Sequence, residues 1–297
     1  MSHIVSFSEI DCFRQCPHKH ELAYKQRWQS PSIGPALSRG ILWHAVMEAH
    51  YRYIMELQQQ HHGEWTKHFD AGLLLAERIN PMLHNDIGGQ TEDQQLVEWM
   101  YEGYVAHYGL DPEWRILGVE HAAVVTLPTP RGTPSQKKLK IKIDLIVRDS
   151  QKRLWIVDHK SGKNLPKDKE LDIDDQFGLY TWGMRKLGQD VFGSLHNAAR
   201  THRNKDQVAH PQPLEERHSR TRLVRTPTEL DTLAIEAYRT ASRAYAIKPG
   251  EAERAPNSDT CRWRCDFTEP CLASRKGIIP EDEMLTDMGF VQDFTRH

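Results

Sequence analysis

The chain has 297 residues, 38% of them hydrophobic and 27% charged, with a formal net charge of −2. That balance excludes a disordered or low-complexity chain and describes an ordinary globular protein, long enough for one large domain or two small ones. No apolar stretch of about 18 residues exists to form a membrane helix, and a near-neutral charge gives no global pull towards nucleic acid.

The start, Met1-Ser2-His3-Ile4-Val5-Ser6, lacks the basic head and apolar middle of a secretory signal, so a cytoplasmic location is expected. Ser6-Phe7-Ser8-Glu9-Ile10-Asp11 reads as a helix start with Ser6 and Ser8 as capping candidates. That helix is expected to run towards Trp28, disturbed at Pro17 and broken by Pro31 and Gly34-Pro35. A second helix is expected from about Ala36 to Gln60. On it Ile41, His44, Met47 and Tyr51 recur at helical spacing, which puts His44 on a partly apolar face where core histidines are common. Further helices are expected over Glu64–Ile79 and Thr91–Tyr108, divided by the breakers Asn80-Pro81 and Gly88-Gly89.

From Trp114 the period changes from helix to strand. Trp114 to Leu127 is rich in Ile, Val and Ala, interrupted by Glu120, and the turn Pro128–Pro134 leads into Lys138–Val147. There Leu139, Ile141, Ile143 and Leu145 share one face, so Asp144 falls on the opposite face with the lysines. The turn-like Arg148–Lys152 precedes Leu154-Trp155-Ile156-Val157, a buried central strand ending in Asp158-His159-Lys160. The two runs should form a hairpin that brings Asp144 close to Asp158, with Lys160 on the same face as Asp158. Two carboxylates and an ammonium on adjacent strands suit metal-assisted hydrolysis.

Beyond the polar connection Lys163–Asp172, a helix is expected over Ile173–Leu187, stopped by Gly188, with Gln176 and Tyr180 on one face. Val191–Arg200 and Arg220–Arg225 read as strands, and Pro227 opens a helix to about Ile247. Residues 200–225 hold seven Lys or Arg against three acids, which is either a polyanion contact or a solvated surface. Residues 276–297 look like an accessory tail. With no repeat and no clean linker, one intertwined domain is expected: a helical lobe over 1–112, a sheet core over 113–226, and a helical, Cys-rich region over 227–297.

Five cysteines, an odd number, argue against a disulfide framework. Cys261, Cys265 and Cys271 crowd three thiols into eleven residues, and Cys16, followed by Pro17, is the natural fourth donor, with Cys12 spare. Four thiolates suit tetrahedral zinc or an iron–sulfur cluster and would buckle the two ends of the chain together.

Taken together, Glu120, Ile143-Asp144, Asp158-His159-Lys160, Gln176-x-x-x-Tyr180, the earlier His44 and the one-plus-three cysteines resemble the PD-(D/E)XK nuclease superfamily. The likeness is to its RecB-like branch of iron–sulfur exonucleases, found in CRISPR-associated and phage recombination systems, and covers the chain from Ser6 to Cys271. It implies an α/β (α+β) fold, a mixed central sheet flanked by helices. It further implies that Asp144, Asp158, His44 and the backbone carbonyl of His159 hold Mn²⁺ or Mg²⁺. Lys160 would position or deprotonate the attacking water, Glu120 would be an auxiliary acid, and Gln176 and Tyr180 would orient the lysine, the water or the strand. Cys16, Cys261, Cys265 and Cys271 would hold a structural [4Fe–4S] cluster.

The departures from the family pattern are specific. No proline precedes Asp144; His159 and Ser161 stand where an aromatic and a threonine are frequent; and three and five residues separate the last three cysteines, which keeps zinc open. The resemblance implies a metal-dependent DNA exonuclease acting on single-stranded ends in recombination or repair, in a bacterial or phage-infected cytoplasm. No GxxxxGK[ST] loop is present, so unwinding would need a separate helicase or recombinase. The rivals are an endonuclease of the same fold and a non-catalytic DNA-binding adaptor.

Overall fold

The computed structural model describes residues 3–31, 34–83, 91–206 and 210–295. The main elements in chain order are β1 (His3–Ser6), α1 (Phe7–Gln15), α2 (Pro35–His61), α3 (Glu92–Tyr108), β2 (Arg115–Pro128), β3 (Pro134–Arg148), β4 (Leu154–Gly162), α4 (Asp175–Lys186), β5 (Val191–Arg200), β6 (His218–Leu223), α5 (Pro227–Ala246), α6 (Ser258–Arg264) and α7 (Thr268–Arg275). They fall into two compact units. Unit one joins residues 1–33, 124–140 and 234–297; unit two joins 34–123 and 141–233.

In unit two, β3 pairs antiparallel with β4, β4 parallel with β5, and β5 antiparallel with β6, while β2 lies alongside β3. This is the mixed sheet with flanking helices anticipated above. Helix α2 covers it with Trp43, Val46, Met47, Tyr51 and Ile54, spaced by three and four residues and almost wholly buried. They pack with Leu145, Val147, Trp155 and Val157 of the sheet and with Val97, Met100 and Tyr104 of α3. Each such side chain contributes roughly 1.5–3 kcal/mol of burial free energy before conformational entropy is subtracted.

Strand β4 runs further than the apolar run alone suggests. Its parallel ladder with β5 continues from Asp158↔His196 to Gly162↔Arg200, so Asp158 and Lys160 sit within a strand and not at its end. Pairing on a central strand holds their backbone rigid, which is what a precise site needs. The expected helix over Glu64–Ile79 is discontinuous: a 3₁₀ segment, His62–His68, gives way at extended Phe69 to a new turn capped by Asp70, whose carboxylate accepts from Leu73 N–H at 2.9 Å. Helix α3 begins with a reciprocal capping box between Thr91 and Gln94. The Gly88-Gly89 breaker lies outside the described residues. Helix α4 starts two residues later than expected because Asp174 caps it, accepting from Gln176 N–H.

In unit one, β1 pairs in parallel with Lys137–Lys140. Ser6 caps α1 through Glu9 N–H, as its sequence signature implies. The helix stops at Gln15, well short of Trp28, because Pro17 forces the preceding Cys16 into an extended conformation (φ −160°, ψ 111°). The stretch read as an accessory tail is instead part of a core: Leu285 and Phe290 pack with Leu22 and Phe267.

Candidate active site

The β3–β4 ladder pairs Leu145 with Val157. One step past it, antiparallel geometry sets Asp144 opposite Asp158 on the same face. The hairpin expectation therefore holds at the level of register. Asp144 Oδ2 lies 3.2 Å from His44 Nδ1 on α2 and accepts the His159 N–H at 2.7 Å. Burial works to raise the Asp144 pKa, but the His44 hydrogen bond and charge outweigh it and hold the carboxyl below its usual range. The same contact acts reciprocally: burial pushes the His44 pKa down, Asp144 overcomes that, and the net direction is upward.

Glu120 reaches the same place from β2. Ligand atoms of His44, Glu120 and Asp144 all lie within 4.8 Å of one another. The backbone at Glu120 has φ +54°, a left-handed conformation rare for a non-glycine residue and costing of order 1–3 kcal/mol. Its carboxylate pairs with Lys142. Counting outward from the Thr129–Thr133 closure of the β2–β3 turn puts Glu120 across from Lys142, a pairing the sequence could have yielded. Two carboxylates and one imidazole form a donor set that fits a hard to borderline divalent cation.

Beside this group a second set closes on itself. Lys160 Nζ donates to Gln176 Oε1 at 3.0 Å, and Gln176 Nε2 donates to Asp158 Oδ1 at 3.1 Å. Lys160 Nζ also stands 2.7 Å from Asp158 Oδ2, yet no aligned hydrogen bond reaches that buried oxygen. The Asp158 carboxylate is thus paired with the Lys160 ammonium through this oxygen. Burial, partly opposed by Lys160 and reinforced by Asp144, pushes the Asp158 pKa up to about 6. Lys160 moves upward too: burial would lower it, but Asp158 dominates. Tyr180, one turn after Gln176 on α4, has its hydroxyl pKa raised by burial and then by the Asp158 charge.

Thus the structure gathers His44, Glu120, Asp144, Asp158, Lys160, Gln176 and Tyr180 in unit two. Asp158 stands outside the three-residue group, engaged by the lysine and the glutamine. At His159 it is the N–H that meets Asp144, while the ring turns into the core, stacked on Tyr51 with ring centres 5.5 Å apart and bonded through Nδ1 to Asn197 at 2.8 Å. Tyr51 was legible only as a member of the helical spacing on the second helix, and Asn197 carried no sequence signal.

Three of the seven cations in the 200–225 basic run are structural. Arg217 stacks on Trp99, Arg220 pairs with buried Asp111, and Arg225 pairs with Glu229 and donates to backbone carbonyls of Leu171, Asp172 and Asp174. Those three cations are already committed, so a polyanion contact by the whole run does not follow.

In unit one, Cys16, Cys261, Cys265 and Cys271 line one cavity, while Cys12 is buried outside it. Extended Cys16 aims its Sγ so that the Lys19 and Ala255 N–H groups both approach at 3.5 Å. Such donors favour thiolate sulfur. Burial raises the pKa of Cys265 and Cys271. Among the described residues no three of these sulfurs lie within 4.8 Å of one another, whereas His18, Cys271 and Glu281 do offer such a trio.

No helix among the described residues is long and apolar enough to cross a membrane. No curated protein matches the chain. Among solved structures, a “Putative exonuclease” from Eubacterium rectale aligns at 14% identity over 90% of this chain and 88% of that one, with TM-score 0.47. SSO0001 aligns at 12% identity over 92% of this chain and 87% of its own, with TM-score 0.38. The family model of the PD-(D/E)XK nuclease superfamily matches residues 4–272, which includes every residue of the site just described. By that match the chain belongs to the PD-(D/E)XK nuclease superfamily, and the protein is a nuclease.

Proposed function

We propose that the protein is a divalent-metal-dependent DNA exonuclease that hydrolyses phosphodiester bonds at single-stranded ends, in recombination or repair. The observation that carries this reading is the convergence of His44, Glu120 and Asp144 within 4.8 Å beside the Asp158–Gln176–Lys160 set. His44, Asp144 and Glu120 would hold Mn²⁺ or Mg²⁺, with Asp158 as a further carboxylate ligand. Bound there, the ion stabilises charge on the attacking and leaving oxygens and acidifies water. An imidazole in the set favours Mn²⁺ over Mg²⁺.

The chain's own groups do the rest. Lys160, held by Asp158 and Gln176, presents an ammonium that orients the attacking water and offsets the negative charge of the reacting phosphate. Gln176 fixes the lysine and the aspartate at once, and Tyr180 contributes a protonated hydroxyl that can donate to the strand. The test is cleavage of end-labelled linear single-stranded DNA and of its circular counterpart with Mn²⁺, Mg²⁺ or EDTA. Metal-dependent release of mononucleotides from linear DNA alone is expected. Cutting of circles would instead make the protein an endonuclease, and DNA binding without cleavage would make it an adaptor.

The four cavity-lining cysteines are read as ligands of a structural [4Fe–4S] cluster. Tetrahedral zinc with bonds of about 2.3 Å would set sulfurs about 3.8 Å apart. The N–H donors on Cys16 support a thiolate-bound centre. Cys265→Ser is expected to abolish broad visible absorbance of the purified protein and to lower its thermal midpoint, because ligand loss removes metal-coupled folding energy. Stoichiometric zinc with unchanged absorbance would establish the zinc alternative.

A further inference from the structure

Unit two has a second concavity, of about 630 Å³, at the turn end of the β3–β4 hairpin, away from the carboxylates. Arg115 opens β2, Arg148 closes β3, and Lys152 lies in the turn between β3 and β4. All three are exposed, and among the described residues none pairs with a carboxylate. The acids nearby are mostly engaged elsewhere. Asp149 is occupied by Arg153, which bonds both its oxygens, and by Trp155, and Asp111, just before the lining residue Pro112, is bound to Arg220. Three cations therefore face a single uncommitted carboxylate, Glu113. Cations lining one concavity raise a local positive potential that attracts an anion.

The backbone carries an independent sign. Five non-glycine residues among those described have positive φ, and two of them, His62 (φ +46°) and Lys152 (φ +62°), line this cavity. Lys152 occupies the left-handed position of a hairpin closed by Asp149 N–H to Arg153 O at 3.0 Å, where glycine or asparagine is preferred. A lysine kept there spends conformational energy to present its ammonium.

We propose that this cavity is a second phosphodiester-binding site, which holds the backbone of a single-stranded nucleic acid a few nucleotides away from the bond being cut. The proposal rests on the reading of the protein as a DNA nuclease only for the identity of the strand. Arg148 stands four positions from Asp144 along β3, roughly 13 Å, and Lys152, in the turn, six positions from Asp158, at most roughly 20 Å. A strand stacked at the duplex rise of roughly 3.4 Å per nucleotide spans those distances with about four to six nucleotides.

The experiment measures equilibrium binding of fluorescent oligodeoxythymidylates of three and twenty nucleotides to the full-length protein in EDTA, over a range of salt. The wild type is compared with the triple variant Arg115→Gln, Arg148→Gln, Lys152→Gln, and with the glutamate version. Loss of three phosphate contacts is expected to weaken binding of the longer strand at least tenfold and to reduce the slope of log affinity against log salt by about 2. Binding of the three-nucleotide strand stays unchanged. Unaltered affinity and slope for the longer strand overturn the proposal, as does an equal loss for both lengths. Displacement of the longer strand by millimolar inorganic pyrophosphate, lost in the variant, would make this a small-anion pocket and also overturn it. Because the assay contains no metal, its outcome is separate from whether the protein cleaves DNA.

Discussion

Asp158→Asn is expected to lower kcat on single-stranded DNA by at least about a thousandfold while leaving the strand's affinity within a few fold. The substitution keeps the shape of the side chain and its acceptor for Gln176 Nε2, but removes the charge that pairs with Lys160 and the carboxylate proposed as a metal ligand. Removing a single pre-organised electrostatic contact typically costs 10²–10³ in rate, and displacing a general acid or base a further 10²–10⁴. Lys160→Met should fall into the same range, and the double variant should be little worse than either single, because the two act as one unit. Single-turnover cleavage with Mn²⁺ measures all three. Wild-type rates in either single variant would remove these residues from the mechanism.

A stability readout separates chemistry from folding in the same variants. With its folded pKa raised to about 6, metal-free Asp158 takes up a proton more readily in the folded than in the unfolded protein. Its contribution to stability is therefore fully present below the unfolded carboxylate range near 4 and is lost as pH rises through about 6. The amide that replaces it in the variant does not titrate. In EDTA, the wild type should gain stability relative to Asp158→Asn as the pH is lowered from 7 to 4, by an amount on the order of 2 kcal/mol. A difference that is flat with pH would show the carboxylate to be unperturbed.

Asp111→Ala is expected to cost about 3–5 kcal/mol, read as a fall in the denaturant midpoint. Arg220 sits with Nη1 2.6 Å from Asp111 Oδ1 and Nη2 3.1 Å from Oδ2, donates to Tyr104 at 2.8 Å, and has the Tyr108 and Trp114 rings 3.8 and 4.1 Å away. Tyr51 donates to the same carboxylate at 2.6 Å. Truncating Asp111 strands a guanidinium in a nearly closed interior, where its charge cannot be lost by deprotonation. Asp111→Asn with Arg220→Met should recover much of the loss, since removing both charges removes the uncompensated one. A midpoint unchanged by Asp111→Ala would show the pair to be energetically idle. The network continues through Asn197 to His159, whose N–H holds Asp144, so activity is expected to fall with stability.

How much of this could be read from residues alone depends on whether the signal was periodic or positional. The alternation from Leu139 to Leu145 and the Arg148–Lys152 turn made the hairpin and the facing carboxylates legible, because strand geometry converts spacing directly into sidedness. Proline and capping chemistry placed the start of α1, but the run of good helix formers after Cys16 hid how completely Pro17 divides it. The role of Arg220 was illegible. In sequence it is one of seven cations in a loop-rich stretch, and only the fold brings Asp111, distant in sequence, and two aromatic planes around it. Asn197 was silent for the same reason, and Tyr51 was legible only by its helical spacing; the importance of both lies in what faces them.

The meeting of both ends of the chain in unit one also has a consequence in time. Cys16 leaves the ribosome 245 residues ahead of Cys261. At about 5–20 residues per second, it waits roughly 12–50 seconds for its partners. During that interval its thiol has only Cys12 as a sulfur neighbour and stands open to oxidants and to stray metal. Assembly of the proposed inorganic centre therefore follows synthesis, and a cell making this protein quickly while short of iron and sulfide would accumulate chains whose nuclease core is finished and whose clasp is not.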